Sequence, residues 1–551
     1  MIVKKNEALE AEEKYKSNVE KTAEYVEFFD ILETITNVGN DEVFTPRKVV
    51  DRMLDSLPEE VWHNPDYKWL NPATKTGIFE REIAIRLDEG LKDEIRDVET
   101  RRKHILQNMI FSIGQTKFTA NVARRTLYYC CQANRPCDGI MEDGHYVNGY
   151  AIGNGTWFDD AEGNVKTPCS DHVIRKGKCI HCGILENSKY LDANQREKYS
   201  YDFIHCSPGD DLQTFLANKF FKGDRNVKFD VIIGNPPYQL SDGGNGASAM
   251  PIYQKFVMQA KSLNPKYISM IIPARWYAGG KGLDEFRADM LKDSRIELIF
   301  DYSNSADCFT GLNIAGGVCY FLWNNDYRGD CIVSNIKNDR IISQDKRRLD
   351  EFPLLIRDNN AVHIVRKVMQ NTTSTMDRLV FSRNIFKLPS NFKGEAIQKE
   401  DSLSVLSSKG TGYVSSSELG ERERELSQKY NVIITYAMSG GNKPSSDGDY
   451  QVISSLQIIQ PGTIFTETYL CLGSFDNLDQ ARSLYYYMST KFVRFLLLQS
   501  LSSIHITKDC FCFVPIQDWN SNYTDTELYA KYNLSKDEIT CIENAVKEMS
   551  L

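Results

Sequence analysis

An amide, two imino acids and an aromatic ring, Asn235-Pro236-Pro237-Tyr238, follow the apolar run DVIIG in the 551-residue sequence. Those residue types suit the gripping of a planar amine. The Asn235 carbonyl oxygen accepts one hydrogen bond from an exocyclic NH2, and a backbone carbonyl fixed by proline accepts another. Two acceptors on one nitrogen draw it towards sp3 geometry and expose its lone pair. Tyr238 offers a ring face to a flat base, a contact worth about 1–3 kcal/mol. A proline-stiffened strand exit with a core tyrosine explains Pro-Pro-Tyr by itself, but fits less well once DVIIG precedes it. The glycine-rich SDGGNGASAMP, 241–251, then reads as a mobile flap over the bound group, with an ordinary surface loop as the alternative.

Two further clusters have chemical potential. NPATKTGIF, Asn71 to Phe79, is a strand that ends in a turn at Gly77 and leads into a helix. Such a turn aims backbone N–H groups at a nucleotide or related cofactor in the crevice above a sheet. With one glycine it fits neither GxGxxG nor GxxxxGK[ST], so a structural turn stands beside that reading. CSDHVIRKGKCIHCG sets Cys169 and His172 three apart, then Cys179 and Cys182 three apart, with Gly177 and Gly183 placed for knuckle turns. Four such ligands form a closed tetrahedral zinc site, structural because no position is left open. Cys130, Cys131, Cys137, His181 and Cys206 are alternative ligands nearby.

The elements that must position these groups follow from periodicity. Leu9, Val19, Ala23, Val26, Phe29, Leu32 and Ile35 predict a helical segment over 1–40. Thr45-Pro46 opens the next helix. A short strand from Tyr67 to Leu70, a strand–turn–helix in NMIFSIGQTKFTANVARRTLYYC, and strands in FDVIIGNPPY and KYISMIIPARWY alternate with helices, which predicts a doubly wound α/β sheet. Residues 130–206 interrupt that rhythm and read as an insertion. From about 331 the alternation fades into a second, α+β domain to 520, and 521–551 predict a helical pair with Ser535 capping its last member.

Composition narrows the class. Apolar residues are 41% and charged residues 26%, which is globular, and no run of about 18 apolar residues offers a membrane span. The polar start does not resemble a secretory signal, so a cytoplasmic protein is expected. Fourteen cysteines in a reducing compartment argue for metal ligation over disulfides. The net charge is −9, but residues 1–100 carry 14 basic against 24 acidic side chains, so the remainder sums to about +1. Within it, residues 331–397 hold 12 basic against 7 acidic, compatible with a surface that follows phosphates or with an ordinary solvated face.

DVIIGNPPY, preceded by NPATKTGIF and further upstream by FTP, resembles the gamma-class methyltransferases of N6 of adenine in DNA, and most closely the Eco57I-like methylases of restriction-modification systems. SMIIPARWYAGGKGLDEFR, CFTGLNIAGGVCYFLW and TDTELYAKYNLSKDEI extend the resemblance over most of the chain. It implies a Rossmann-like methyltransferase domain over 41–330 with a zinc-binding insertion at about 130–206, followed by a target recognition domain over 331–520. It further implies S-adenosylmethionine as donor, double-stranded DNA as partner and base flipping of the adenine. Phe44, Thr45 and Pro46 match FTP and are implied to contact the methionine end of the cofactor. Asn71, Ala73, Thr74 and Gly77 stand in the cofactor turn, where Asn71 replaces the family's Asp and Lys75-Thr76 replace Gly-Ser. Gln115 stands where an acid usually binds the ribose. Asn235, Pro236, Pro237 and Tyr238 match the catalytic motif, and Asn235 borders the cofactor as well. No PD...(D/E)xK cluster with room to fold is present, so a cognate nuclease is expected on a separate chain. The alternatives are an RNA or protein-glutamine methyltransferase, or a specificity subunit that has lost turnover.

Overall fold

A computed structural model describes residues 43–128, 130, 132–134, 157–168, 173–180, 185–186, 202–239, 250–279, 282–309, 312, 314–438, 445, 448–501 and 503–549. The helical segment expected before residue 41, most of the insertion, and 240–249 of the expected flap lie outside them. The chain forms two compact units. The first runs to Pro273 and takes back 281–283 and Asp293–Ile332; the second holds Ala274–Gly280, Asp284–Lys292 and the chain from Val333 onward. The segments Ala274–Gly280 and Asp284–Lys292, which the sequence assigns to 41–330, cluster with the second unit.

In the first unit, helix α1 (Arg47–Asp55) starts directly after Pro46, whose extended backbone sets the entry and whose carbonyl accepts the amides of Val49 and Val50. Val49, Val50, Met53 and Leu54 form its buried face. Strand β1 (Trp69–Thr74) leads to α2 (Ile78–Gly90), and α3 (Val98–His104) leads to β2 (Ile110–Gly114) and α4 (Lys117–Tyr128). There follow β3 (Val165–Lys166), the hairpin of β4 (Ile174–Arg175) and β5 (Lys178–Cys179), α5 (Asp210–Phe220), β6 (Val231–Gly234), α6 (Tyr253–Ser262) and β7 (Tyr267–Pro273). After α7 (Asp284–Lys292), which belongs to the second unit, β8 (Ile296–Tyr302) and β9 (Val318–Asn324) complete the first.

The sheet order across this unit is β8-β9-β7-β6-β1-β2-β3. Strands β3, β2, β1, β6 and β7 run parallel, and β9 lies antiparallel between β7 and β8. The result is a mixed α/β sheet. Every residue of β1, β2, β6 and β7 is buried, as expected for strands covered on both faces. Each fully buried Val or Ile in β6 contributes about 1.5–3 kcal/mol, so this short strand is fixed firmly although it has four residues.

Two details differ from expectation for identifiable reasons. Strand β1 extends to Thr74, past the predicted end at Leu70, because Asn71 pairs with Ser112 and Thr74 with Gly114 across an irregularity that accommodates Pro72. The segment read as an insertion also gives a strand to the sheet: Val165 pairs with Ser112 and Lys166 with Ile113.

The second unit has two apolar cores. Strand β10 (Tyr430–Thr435) is flanked by antiparallel β11 (Leu456–Ile459) and β12 (Tyr469–Phe475), and a large cluster built on Val432, Ile434, Leu470 and Leu472 includes the helical residues Val365, Leu484, Tyr487 and Phe492. A smaller cluster, with Val405, Val414, Ile464 and Phe386, sits on a sheet formed by 402–407, 410–415 and 463–465. The final helices, Asp525–Lys531 and Lys536–Ala545, each begin in a capping box: Thr524 with Glu527, and Ser535 with Glu538. The predicted cap at Ser535 is present.

Candidate active site

The chain leaves β1 towards β2 on one side, while β6 lies on the other and continues to β7, so the crevice at the carboxyl ends of β1 and β6 is a topological switch point. Ligands in open α/β sheets bind at such points. A cleft lies there, lined by Thr45, Asn71, the run from Ala73 to Glu80, and Asn235. Thus Thr45, Asn71, Ala73, Thr74, Gly77 and Asn235, distant in sequence, converge on one space. Phe44 and Pro46 flank Thr45 outside that lining, and Gln115 follows the end of β2.

The turn is built tightly. Gly77 has φ +79°, and a Cβ there would come within 2.8 Å of Ala123 Cα and 3.0 Å of its carbonyl oxygen, so both the conformation and the approach of α4 require glycine. Thr126 Oγ1 donates to the Thr76 carbonyl at 2.6 Å, and the Gln115 amide donates to Thr74 at 3.1 Å. Asn71 Oδ1 accepts the Ala73 amide at 3.1 Å. Across the crevice, a Cβ on Gly234 would lie 2.5 Å from Asn71 Oδ1, so the two strand ends meet only because Gly234 lacks one.

Asn235 is 3% exposed and its orientation is fixed from one side. Its Nδ2 donates to the Val43 carbonyl and to Thr45 Oγ1, both at 3.0 Å. Oδ1 is buried and has no partner. The strap at 43–45 therefore occupies both amide hydrogens and leaves the carbonyl oxygen as the available acceptor. Pro236 and Pro237 are buried and stiffen the exit. The hydroxyl of half-buried Tyr238 is sealed in without a hydrogen bond; burial holds its pKa well above that of an ordinary tyrosine, and the Cys308 and Cys319 thiols push the same way. The chain after the expected flap returns to the motif: the Ile252 amide donates to the Tyr238 carbonyl at 3.2 Å, and Gln239, next to Tyr238, pairs with Pro251.

Buried polar groups without a hydrogen bond lie at or beside the cleft: Asn235 Oδ1 and both polar atoms of Gln115. Such groups are costly unless a bound polar molecule satisfies them. Glu80 is the functional candidate that motif reading missed. It is 1% exposed, and burial raises its carboxyl pKa although its own backbone amide, Thr74, Asn71 and Ser112 pull it down. A signal was available: Glu80 starts the stripe continued by Ile83, Ala84 and Leu87, so an acid occupies an apolar helical face.

Of the expected zinc ligands, Cys169, His172 and Cys182 lie outside the described residues. Cys179 is buried at the end of the β4–β5 hairpin, opposite Ile174, with Lys176 and Gly177 both at positive φ in the turn. Among the described residues no group of three or more His, Cys, Asp or Glu side chains is gathered for a metal, and no helix is long and apolar enough to cross a membrane.

This arrangement belongs to a methylase. Residues 108–309 match the Eco57I restriction-modification methylase family. A protein of Mycoplasma pneumoniae (strain ATCC 29342 / M129 / Subtype 1), described as an uncharacterized adenine-specific methylase, is 43% identical over 364 residues, covering 64% of this chain and 83% of that one. The chain belongs to the Eco57I-like adenine methylases. Among solved structures, the Type IIL restriction-modification enzyme MmeI in complex with DNA is similar over 90% of this chain and 72% of that one, with a TM-score of 0.45 and 10% identity. The nuclease-deletion mutant of the Type ISP enzyme LlaGI, in complex with a DNA substrate mimic, is similar over 91% of this chain and 46% of that one, with a TM-score of 0.45 and 13% identity.

Proposed function

We propose that this adenine methylase transfers a methyl group from S-adenosylmethionine to N6 of an adenine flipped out of double-stranded DNA, within a restriction-modification or related defence system. The observation that carries this reading is the carboxamide of Asn235, whose Nδ2 is held by Val43 and Thr45 while Oδ1 stands buried and unpartnered at the switch point. An exocyclic NH2 is the complementary donor.

The residues fit the cofactor. Gly77 supplies a close-approach cradle, and Gln115 and Asn235 supply unpartnered polar atoms. S-adenosylmethionine supplies an activated methyl group on its sulfonium. Asn71, Ala73, Thr74 and Gly77 of the turn, with Phe44, Thr45, Pro46 and Gln115, would hold it. Asn235 Oδ1 and the Pro236 carbonyl accept the two N6 hydrogens, Tyr238 presents its ring to the base, and the shielded setting keeps the amine lone pair aimed at the methyl group. No strong base is required, because the N6 proton can leave after transfer.

The second unit, from Val333 onward, is proposed as the target recognition domain, with the basic 331–397 stretch following phosphates. Zinc held by Cys169, His172, Cys179 and Cys182 is proposed as a structural pin; Cys179, buried on a tight hairpin, has the disposition of a knuckle ligand. The test is incubation of the purified chain with unmethylated DNA and S-adenosylmethionine, followed by mass spectrometry of nucleosides. N6-methyladenine formed by the wild type and lost in Asn235→Ala is the expected result; no methyl transfer to adenine contradicts the proposal.

A further inference from the structure

Lys75 lies in the NPATKTG turn, lines the cleft and is 7% exposed. Its ammonium donates to the Val43 carbonyl at 2.9 Å. The same oxygen accepts Asn235 Nδ2 at 3.0 Å. A carbonyl oxygen has two lone pairs, and here the donors approach from the two strand ends that flank the switch point: Lys75 just beyond β1 and Asn235 just beyond β6. The remaining hydrogen of the Asn235 amide goes to Thr45 Oγ1, two residues further along the same strap, so the orientation of the carboxamide depends on where the strap is held.

We propose that Lys75 is a positioning residue for methyl transfer. Resting on the methyltransferase function above, it ties the strap to the cofactor turn through the Val43 carbonyl and thereby fixes Asn235 with Oδ1 turned towards the amine. A buried ammonium must be paired, and a long stem with a compact charged head can reach a single carbonyl as a point donor. A neutral side chain of similar length leaves the strap without this tether. Val43 and Thr45 still accept from the Asn235 carboxamide, but a strap held less firmly lets it sample orientations that present Nδ2 to the amine, a donor facing a donor. The predicted loss is therefore in turnover, with little change in affinity for the cofactor.

The test uses the full chain with Lys75→Met and, separately, Lys75→Gln. Removal of the ammonium is expected to lower kcat for methyl transfer to DNA about 10- to 100-fold, with calorimetric Kd for S-adenosylhomocysteine changed less than about threefold. If Lys75→Met does not fold, Lys75→Gln read by the same two measurements decides. Wild-type kcat in the folded variant, or a parallel loss of S-adenosylhomocysteine binding, would overturn the proposal. A wild-type chain inactive on DNA would instead remove the function on which it rests.

Discussion

On the proposed mechanism, Asn235 and Tyr238 divide the handling of the base between an acceptor and a surface. Tyr238 contributes its ring and not its hydroxyl, which is buried, without a hydrogen bond and flanked by the Cys308 and Cys319 thiols. Tyr238→Phe should therefore keep full methyl transfer and gain stability of about 1 kcal/mol from loss of an unsatisfied buried hydroxyl, whereas Tyr238→Ala should weaken the productive complex by about 1–3 kcal/mol. Steady-state kinetics and denaturant unfolding read both. Glu80 allows a separate check through pH. Its folded-state pKa is raised above the ordinary value of 4.5, so the folded chain holds this proton more tightly than the unfolded one. The associated stability is fully present below about pH 4.5 and is lost as pH rises through the folded-state value. Glu80→Gln should remove that dependence, with a melting temperature that gains on the wild type as pH increases from 5 to 8. Unfolding scans across that range that show a constant difference would contradict the burial argument.

At the scale of elements, what the sequence makes legible is local. DVIIG before Asn235 announces a buried strand, Gly77 marks the turn into α2, and Ser535 with Glu538 marks the last helix; all three are set by neighbours a few residues away. What stays hidden depends on distant partners. The bond from Asn235 to Val43 spans 192 positions, and no periodicity reports it. Strand β3 is two residues long in an irregular segment, and only its register against Ser112 and Ile113 makes it a strand. Likewise the second unit reads as polar and mixed because its apolar residues are shared between two cores on small sheets. The hairpin that carries Cys179 is an element with its own prediction. Metal analysis of the purified chain should find about one zinc per molecule, and a strong chelator should lower the melting temperature without abolishing S-adenosylhomocysteine binding, since the cofactor turn lies on other elements. Metal-free protein of unchanged stability would contradict the zinc assignment.

For the molecule as a whole, a mixed α/β unit carries the switch-point cleft, and a second unit of comparable independence follows it. That division fits an enzyme in which one unit performs transfer at a flipped base and the other selects where on the duplex it happens. Activity on a free nucleoside should accordingly be slight beside activity on a duplex that carries the recognised sequence. The central claim, that the chain methylates adenine N6 at defined DNA sites through Asn235, is tested most directly by expressing it in a host free of adenine methylation and mapping N6-methyladenine by single-molecule sequencing. The account predicts one sequence motif methylated at nearly every occurrence with the wild type and unmethylated with Asn235→Ala; no methylated motif, or a motif equally methylated by the variant, would contradict it.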